Sequence, residues 1–149
     1  MFVENAVIIM DEKDLKIIEI LEKNARTPYT EIASMLGISE GTVRNRIEKL
    51  EKEGVIIRYT IEVDPKKMGY HTVVLLGMDA EPKHFLRAAH ELSEMDCVKW
   101  VYTSTGDHMI MAEIWAKDTS ELNKIISEKI SKIEGVRDLC PAILMERIK

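Results

Sequence analysis

Cysteine is nearly missing from this sequence, and so is any excess of positive charge. Cys97 and Cys140 stand alone, with no CxxC pair and no histidine at zinc-ligand spacing. Neither a disulfide framework nor a zinc finger is therefore expected, and both thiols read as buried groups of a reducing compartment. No apolar run reaches about 18 residues, which excludes a membrane-spanning helix. Phe2-Val3 and Ala6 to Met10 lack a basic start and a small-residue cleavage site, so no signal peptide is expected and a cytoplasmic location follows. There is no nucleophile elbow, phosphate loop or metal-ligand spacing, so no catalytic residue, metal or cofactor is assigned. No internal repeat or low-complexity segment is evident. The formal net charge of −5 argues against a protein that coats nucleic acid non-specifically, because such binding scales with the phosphates neutralised.

What is present is ample apolar material, 46% of 149 residues, with 32% charged. That composition suits a globular chain of one ordinary domain or two small ones. The stretch Asp11 to Tyr59 organises it. Ile32, Ala33 and Leu36 repeat at helical spacing, and Gly37 ends that helix with a residue that accepts positive φ. Ser39 is a good N-cap for the next helix. Val43, Ile47 and Leu50 then form a narrow buried stripe. Gly41, Asn45, Glu48 and Lys52 fall on the opposite side, flanked by Arg44 and Lys49. Two helices joined by a short glycine turn make a helix-turn-helix, and such an outward face suits a DNA groove. From residues alone, a merely solvated helix explains the same charges. The balance from Ser39 to Lys52 is only +1, four cations against Glu40, Glu48 and Glu51. Specific contacts must then carry much of any binding.

Upstream, residues 1–10 read as a tail or an added strand. Asp11, Glu12 and Asp14 favour the positive end of a helix whose wide apolar face is Leu15, Ile17, Ile18, Ile20 and Leu21. Arg26-Thr27-Pro28 breaks it, and Thr30 is the expected cap of the second helix. Val55 to Ile57 and Thr60 to Val63 read as a short strand or wing, with Arg58 available to a phosphate. The reading is thus a DNA-binding domain over 11–59, a linker at 60–70 and a second domain over 71–149.

In that second domain the expected order is a strand 71–79, a helix from Pro82 to Met95, and a strand Val98 to Ser104. A Gly106-Asp107 turn follows, which asks for positive φ, then a strand Met109 to Ala116. A helix capped by Thr119 and one or two strands from Val136 to Ile148 complete it. This β-α-β-β-α-β order is the split ferredoxin-like unit, so the fold class is α+β. Strands 71–79 and 109–116 are apolar on both faces. Helices on one side cannot cover both, so the second face is expected to pack on another subunit.

The residues then support a resemblance. Asp11-Glu12-Lys13-Asp14, Asn24-Ala25-Arg26, Leu36-Gly37-Ile38-Ser39 and Val43-Arg44-Asn45-Arg46-Ile47 resemble the Lrp/AsnC family of bacterial and archaeal transcription regulators. So do Gly54-Val55-Ile56, Asp64-Pro65, Gly69-Tyr70 and Thr105-Gly106-Asp107. The Ile- and Lys-rich composition is similar to archaeal members, and Pro28-Tyr29-Thr30 with Ile38-Ser39-Glu40 resembles archaeal regulators of lysine biosynthesis. The resemblance implies a winged helix-turn-helix and a RAM-type effector domain. It further implies homodimers assembling into tetramers or octamers, pseudo-palindromic promoter DNA, and an amino-acid effector.

On this reading the DNA-binding residues are Ser39, Gly41, Thr42, Arg44, Asn45, Arg46, Lys49, Lys52 and Arg58. Arg44, Asn45, Lys49 and Lys52 would enter the major groove, while Arg46, Arg58 and Ser39 would position phosphates. The effector residues are Thr105, Gly106, Asp107, His108, Met109, Asp138 and Ala142. Two departures stand out. Met109 occupies the position where the family often has a second acidic residue for the effector's ammonium, and Asp138 is the candidate substitute. Glu48 falls where many members are basic. Two alternatives remain open. The siroheme decarboxylases resemble the same two-domain layout and use histidine and arginine, for which His71, His84, His90 and Arg87 are the candidates. The other is an effector-binding protein with little DNA affinity.

Overall fold

Asp11 opens the first helix with a reciprocal cap. Its carboxylate accepts from the amides of Lys13 and Asp14, and the Asp14 carboxylate accepts from the Asp11 amide, the capping-box arrangement. Helix α1 (Glu12–Lys23) follows and buries Ile17 and Leu21. Its apolar face is narrower than expected, since Leu15 is 48% exposed. The structure is a computed structural model that describes residues 8–148, so most of the expected tail lies outside the described residues.

Helix α2 (Tyr29–Leu36) starts earlier than Thr30 would allow. Pro28 is the N-cap, and its carbonyl receives the amides of Glu31 and Ile32. Thr30 therefore sits inside the first turn and caps nothing. Gly37 ends α2 at φ +62°, a conformation glycine adopts without strain. Helix α3 (Glu40–Lys52) buries Val43, Ile47 and Leu50, as the spacing predicts. Ile17, Leu21, Ile32, Ala33, Val43 and Ile47 form one small core.

The wing expected at 55–63 does not form strands. Both the Val55 and Ile56 amides return to the Leu50 carbonyl, at 2.9 and 3.1 Å, and are spent in closing α3. Ile57 and Ile61 remain 87% and 80% exposed. The chain divides between Glu62 and Val63 into two compact units.

The second unit is a four-stranded antiparallel sheet. Its strands are β1 (Thr72–Ala80), β2 (Val98–Thr103), β3 (Ile110–Ala116) and β4 (Val136–Ile143), in the order β2-β3-β1-β4. Helix α4 (Phe85–Ser93) joins β1 to β2, and α5 (Thr119–Lys124) begins the return to β4. The expected β-α-β-β-α-β order stands. Asp118, not Thr119, caps α5, because its carboxylate accepts from the Glu121 amide at 2.8 Å. Past Lys124 the helix widens over Ile125–Lys129 and tightens over Ile130–Lys132. Beyond Ile143 no further strand forms among the described residues, although the Leu144 amide still reaches the Val73 carbonyl.

One sheet face presents Val74, Leu76, Met78, Ile110, Ala112 and Ile114 to Ala88, Leu92, Leu122 and Ile130, all fully or nearly fully buried. Alternate residues point the other way. Val73, Leu75, Met111 and Trp115 are only half-buried there. Cys97 is partly buried, but Cys140 is exposed, against expectation. It pairs with Gly77 in the register and so belongs to this open face. Among the described residues, no helix is long and apolar enough to cross a membrane, and no cluster is placed to hold a metal ion.

Candidate DNA interface and effector face

The turn between α2 and α3 is fixed by short-range bonds. The Ile38 amide returns to the Ala33 carbonyl at 3.1 Å, and the Ser39 hydroxyl accepts from the Thr42 amide at 3.1 Å. The two hydroxyls of Ser39 and Thr42 also share a 2.8 Å hydrogen bond. Gly41, Arg44, Asn45, Glu48, Lys49 and Lys52 all lie exposed on α3. A Cβ at Gly41 would meet nothing nearer than the Ser39 hydroxyl at 3.9 Å. The chain itself makes no demand for glycine there, whereas close approach of a groove would.

The cations of this face differ in what they already hold. The side chains of Lys49 and Lys52, of the neutral Asn45 beside them and of Arg58 beyond the helix make no hydrogen bond or ion pair among the described residues. Arg44 donates to Glu40 at 3.0 Å and stands over the Tyr29 ring at 5.3 Å. Both members of that ion pair are about half exposed, so it is weak and easily exchanged. Arg46 is different. Its Nη1 donates to Asp11 Oδ2 and to Asp14 Oδ1, both at 2.7 Å. Asp14 is 5% exposed, and its hydrogen bond is the largest of the causes raising the Arg46 guanidinium above its ordinary range. Arg46, expected to position a phosphate, thus has its Nη1 taken up by two carboxylates. Tyr29, Asp11 and Asp14 were not foreseen in these roles. The i, i+3 spacing of the two aspartates, read only as helix-dipole charge, was the available signal.

In the second unit the connection between β2 and β3 is a loop over 104–109, closed by the Ser104 amide on the Met109 carbonyl at 2.8 Å. It is not the tight turn expected of Gly106-Asp107. Gly106 keeps negative φ, and its amide is held by the Ser104 hydroxyl at 3.0 Å. Asp79, unforeseen at the end of an apolar strand, clamps this loop. Its Oδ1 accepts the Met109 amide and its Oδ2 meets His108 Nδ1, each at 2.9 Å. The bond from His108, then that from the Met109 amide, holds the Asp79 carboxyl below the usual range. The imidazole of His108 packs against Gly77, where any Cβ would sit 2.1 Å from its ring.

Asp138 is paired directly with Asp79 across β1 and β4, which brings it to the same end of the open face as His108 and Met109. Thr105, Gly106 and Asp107 are exposed in the loop. Ala142 pairs with Leu75, well down the strand, and does not join them. At mid-sheet the Glu113 carboxylate accepts from the indoles of Trp100 and Trp115, with Lys99 4.8 Å over the Trp115 ring. The histidines do not gather. His71 and His90 are exposed, His84 lies against Gly135, and His108 is held by Asp79.

Two family models account for the two units. Residues 10–57 match a winged helix-turn-helix DNA-binding model, and residues 73–149 match the Lrp/AsnC ligand binding domain. The chain belongs to the Lrp/AsnC family of transcription regulators. It is 52% identical over 141 residues to the HTH-type transcriptional regulator LrpA of Pyrococcus abyssi, covering 95% of this chain and all of that one. It is 39% identical to LrpA1 of Halobacterium salinarum over 134 residues, 90% of this chain and 94% of that one. Among solved structures, AsnC of E. coli is similar with a TM-score of 0.84 at 29% identity, covering 95% and 96% of the two chains. An Lrp-type regulator with a helix-turn-helix and a ligand-binding domain is therefore what the chain is. The decarboxylase alternative finds no support among these relatives.

Proposed function

We propose that this regulator reads pseudo-palindromic promoter DNA as a homodimer or a higher assembly, and that an amino acid or related effector shifts its binding. The observation that carries the DNA reading is the unengaged trio Asn45, Lys49 and Lys52 beside Gly41 on α3. An amide can read adenine bidentately, and the lysines supply guanine or phosphate contacts. The half-buried row Val73, Leu75, Met111 and Trp115 supports assembly through the open sheet face, since apolar patches of this kind seek a second surface. With Met109 in the usual acidic position and its amide spent on Asp79, the acceptor for an effector's ammonium on this reading is Asp138.

The test is binding to the DNA upstream of the protein's own gene at two salt concentrations, with and without the twenty amino acids. Selective, salt-sensitive binding that shifts with the mixture is expected, together with loss of the shift, but not of binding, in Asp138→Asn. Leu75→Lys should lower the mass seen by light scattering. Weak, unselective binding at both salts would instead favour an effector-binding protein with little DNA affinity.

A further inference from the structure

We infer that Arg46 is not a DNA contact but a positioning residue, a strut that fixes the recognition helix α3 against the N-terminus of α1. Its guanidinium geometry leads to this assignment. The strongest grip on a phosphate or a base edge is bidentate, through two neighbouring N–H groups of the guanidinium. One such edge needs Nη1 with Nη2, and Nη1 is already shared by Asp11 and Asp14 at 2.7 Å. The other edge needs Nε with Nη2, and Nε is buried without a hydrogen-bond partner among the described residues. Each bidentate edge therefore lacks one member.

The acceptors are equally committed. Asp11 and Asp14 also cap one another's amides at the start of α1, so a single network joins the N-cap of one helix to the middle of the other. Asp14 is 5% exposed, and removing Arg46 would leave its carboxylate buried without a cation. Breaking such a pair from one side is costly, which makes the arrangement stiff. The network opens on a cavity of about 530 Å³ lined by Thr42, Asn45, Arg46 and Lys49 as well as both aspartates. Asn45 and Lys49, on the reading face, flank the strut directly. A small rotation of α3 moves their tips, and base reading tolerates little displacement.

The two roles predict opposite signs for one substitution, Asp14→Asn. If Arg46 is a strut, loosening it lowers sequence preference. If Arg46 is a phosphate contact restrained by Asp14, freeing it strengthens binding to any DNA. The experiment uses the full-length protein, a duplex selected from a random pool by the wild type, and a scrambled duplex of equal composition. Wild type, Asp14→Asn, Arg46→Met and the double variant are titrated over a range of salt, well below their melting temperatures.

Expected for each single variant is a loss of preference for the selected duplex of about tenfold, the scale of one base contact. The slope of log affinity against log salt should stay at the wild-type value, and the double variant should be no worse than the poorer single one. The proposal is overturned if Asp14→Asn tightens both duplexes with a steeper slope. It is also overturned if Arg46→Met flattens the slope by about 0.9, the signature of one lost phosphate. Should Arg46→Met fail to fold, the sign seen with Asp14→Asn decides alone.

Discussion

Helix α3 and the open face of the sheet are the two surfaces to which the proposed function assigns reading and assembly, and they are finished to different degrees. The helical unit buries one small cluster, Ile17, Leu21, Ile32, Ala33, Val43 and Ile47, and turns a polar, largely unpartnered face outward. The sheet unit has a larger core on one side of β1 and β3, yet leaves Val73, Leu75, Met111 and Trp115 half-covered on the other. The first surface is chemically complete within one chain and lacks only a ligand. The second is apolar where a finished surface would be polar, which is the physical reason to expect a second copy upon it. On the function proposed above, reading falls to side chains without partners and assembly to side chains without cover.

The sharpest way to break that comparison is at the cores. Ile47→Ala should cost about 2–5 kcal/mol, as buried large-to-small changes do. Three helices of this size lie near the lower limit for independent folding, so the helical unit should melt first. Limited proteolysis should then cleave before Val63 and spare the sheet unit. Ile114→Ala removes a comparable side chain from the larger core and should leave a folded sheet. If both variants melt in one transition with wild-type cooperativity, the two units do not fold as separate bodies.

On the reading face, Asn45→Ala should cost about 1–3 kcal/mol on a selected duplex and nothing on a scrambled one. An equal loss on both duplexes would remove Asn45 from base reading. Arg58→Ala is the contrast, since a phosphate contact weakens every sequence alike and flattens the salt slope.

Caps give a smaller effect on both units at once. Ser39→Ala and Asp118→Ala each remove one accepted amide, from Thr42 and Glu121 respectively. Each should lower stability by about 1 kcal/mol, read as a shift in the melting midpoint. Only Ser39→Ala should also weaken DNA binding, because only that cap lies at the start of the recognition helix.

The sequence made the helices and the strand order legible because both rest on local periodicity. Val43, Ile47 and Leu50 at helical spacing and the unbroken β-branched and apolar run of β1 needed no tertiary knowledge. The caps failed where two neighbours competed, Pro28 against Thr30 and Asp118 against Thr119, because register at a helix start depends on which carbonyl the first amides find. The wing failed because Val55 and Ile56 carry strand-forming side chains while their amides are claimed by Leu50. Of the site, the exposed residues of α3 were legible. What Arg46 holds was not, since its partner Asp14 is 32 positions away. Asp79 and His108, 29 positions apart, meet only once the sheet has formed.

That last pair supplies the finest test of how the open face is held. The Asp79 carboxyl lies below its ordinary value of 3.8 because the charged form accepts from His108 and from the Met109 amide. A carboxyl depressed by folding adds stability above its unfolded value, and that contribution fades as pH falls through the folded value. The loop over 104–109 should therefore stay clamped at neutral pH and loosen only below about pH 3.8. A carbon-detected titration of the side-chain carboxyls should place the Asp79 midpoint below that of an unfolded control. Asp79→Asn should remove the corresponding acid-dependent part of the melting curve while leaving α3 unaffected. A midpoint at or above the control would mean that His108 and Met109 do not hold Asp79, and the loop would then owe its place over Gly77 to the fit of the imidazole alone.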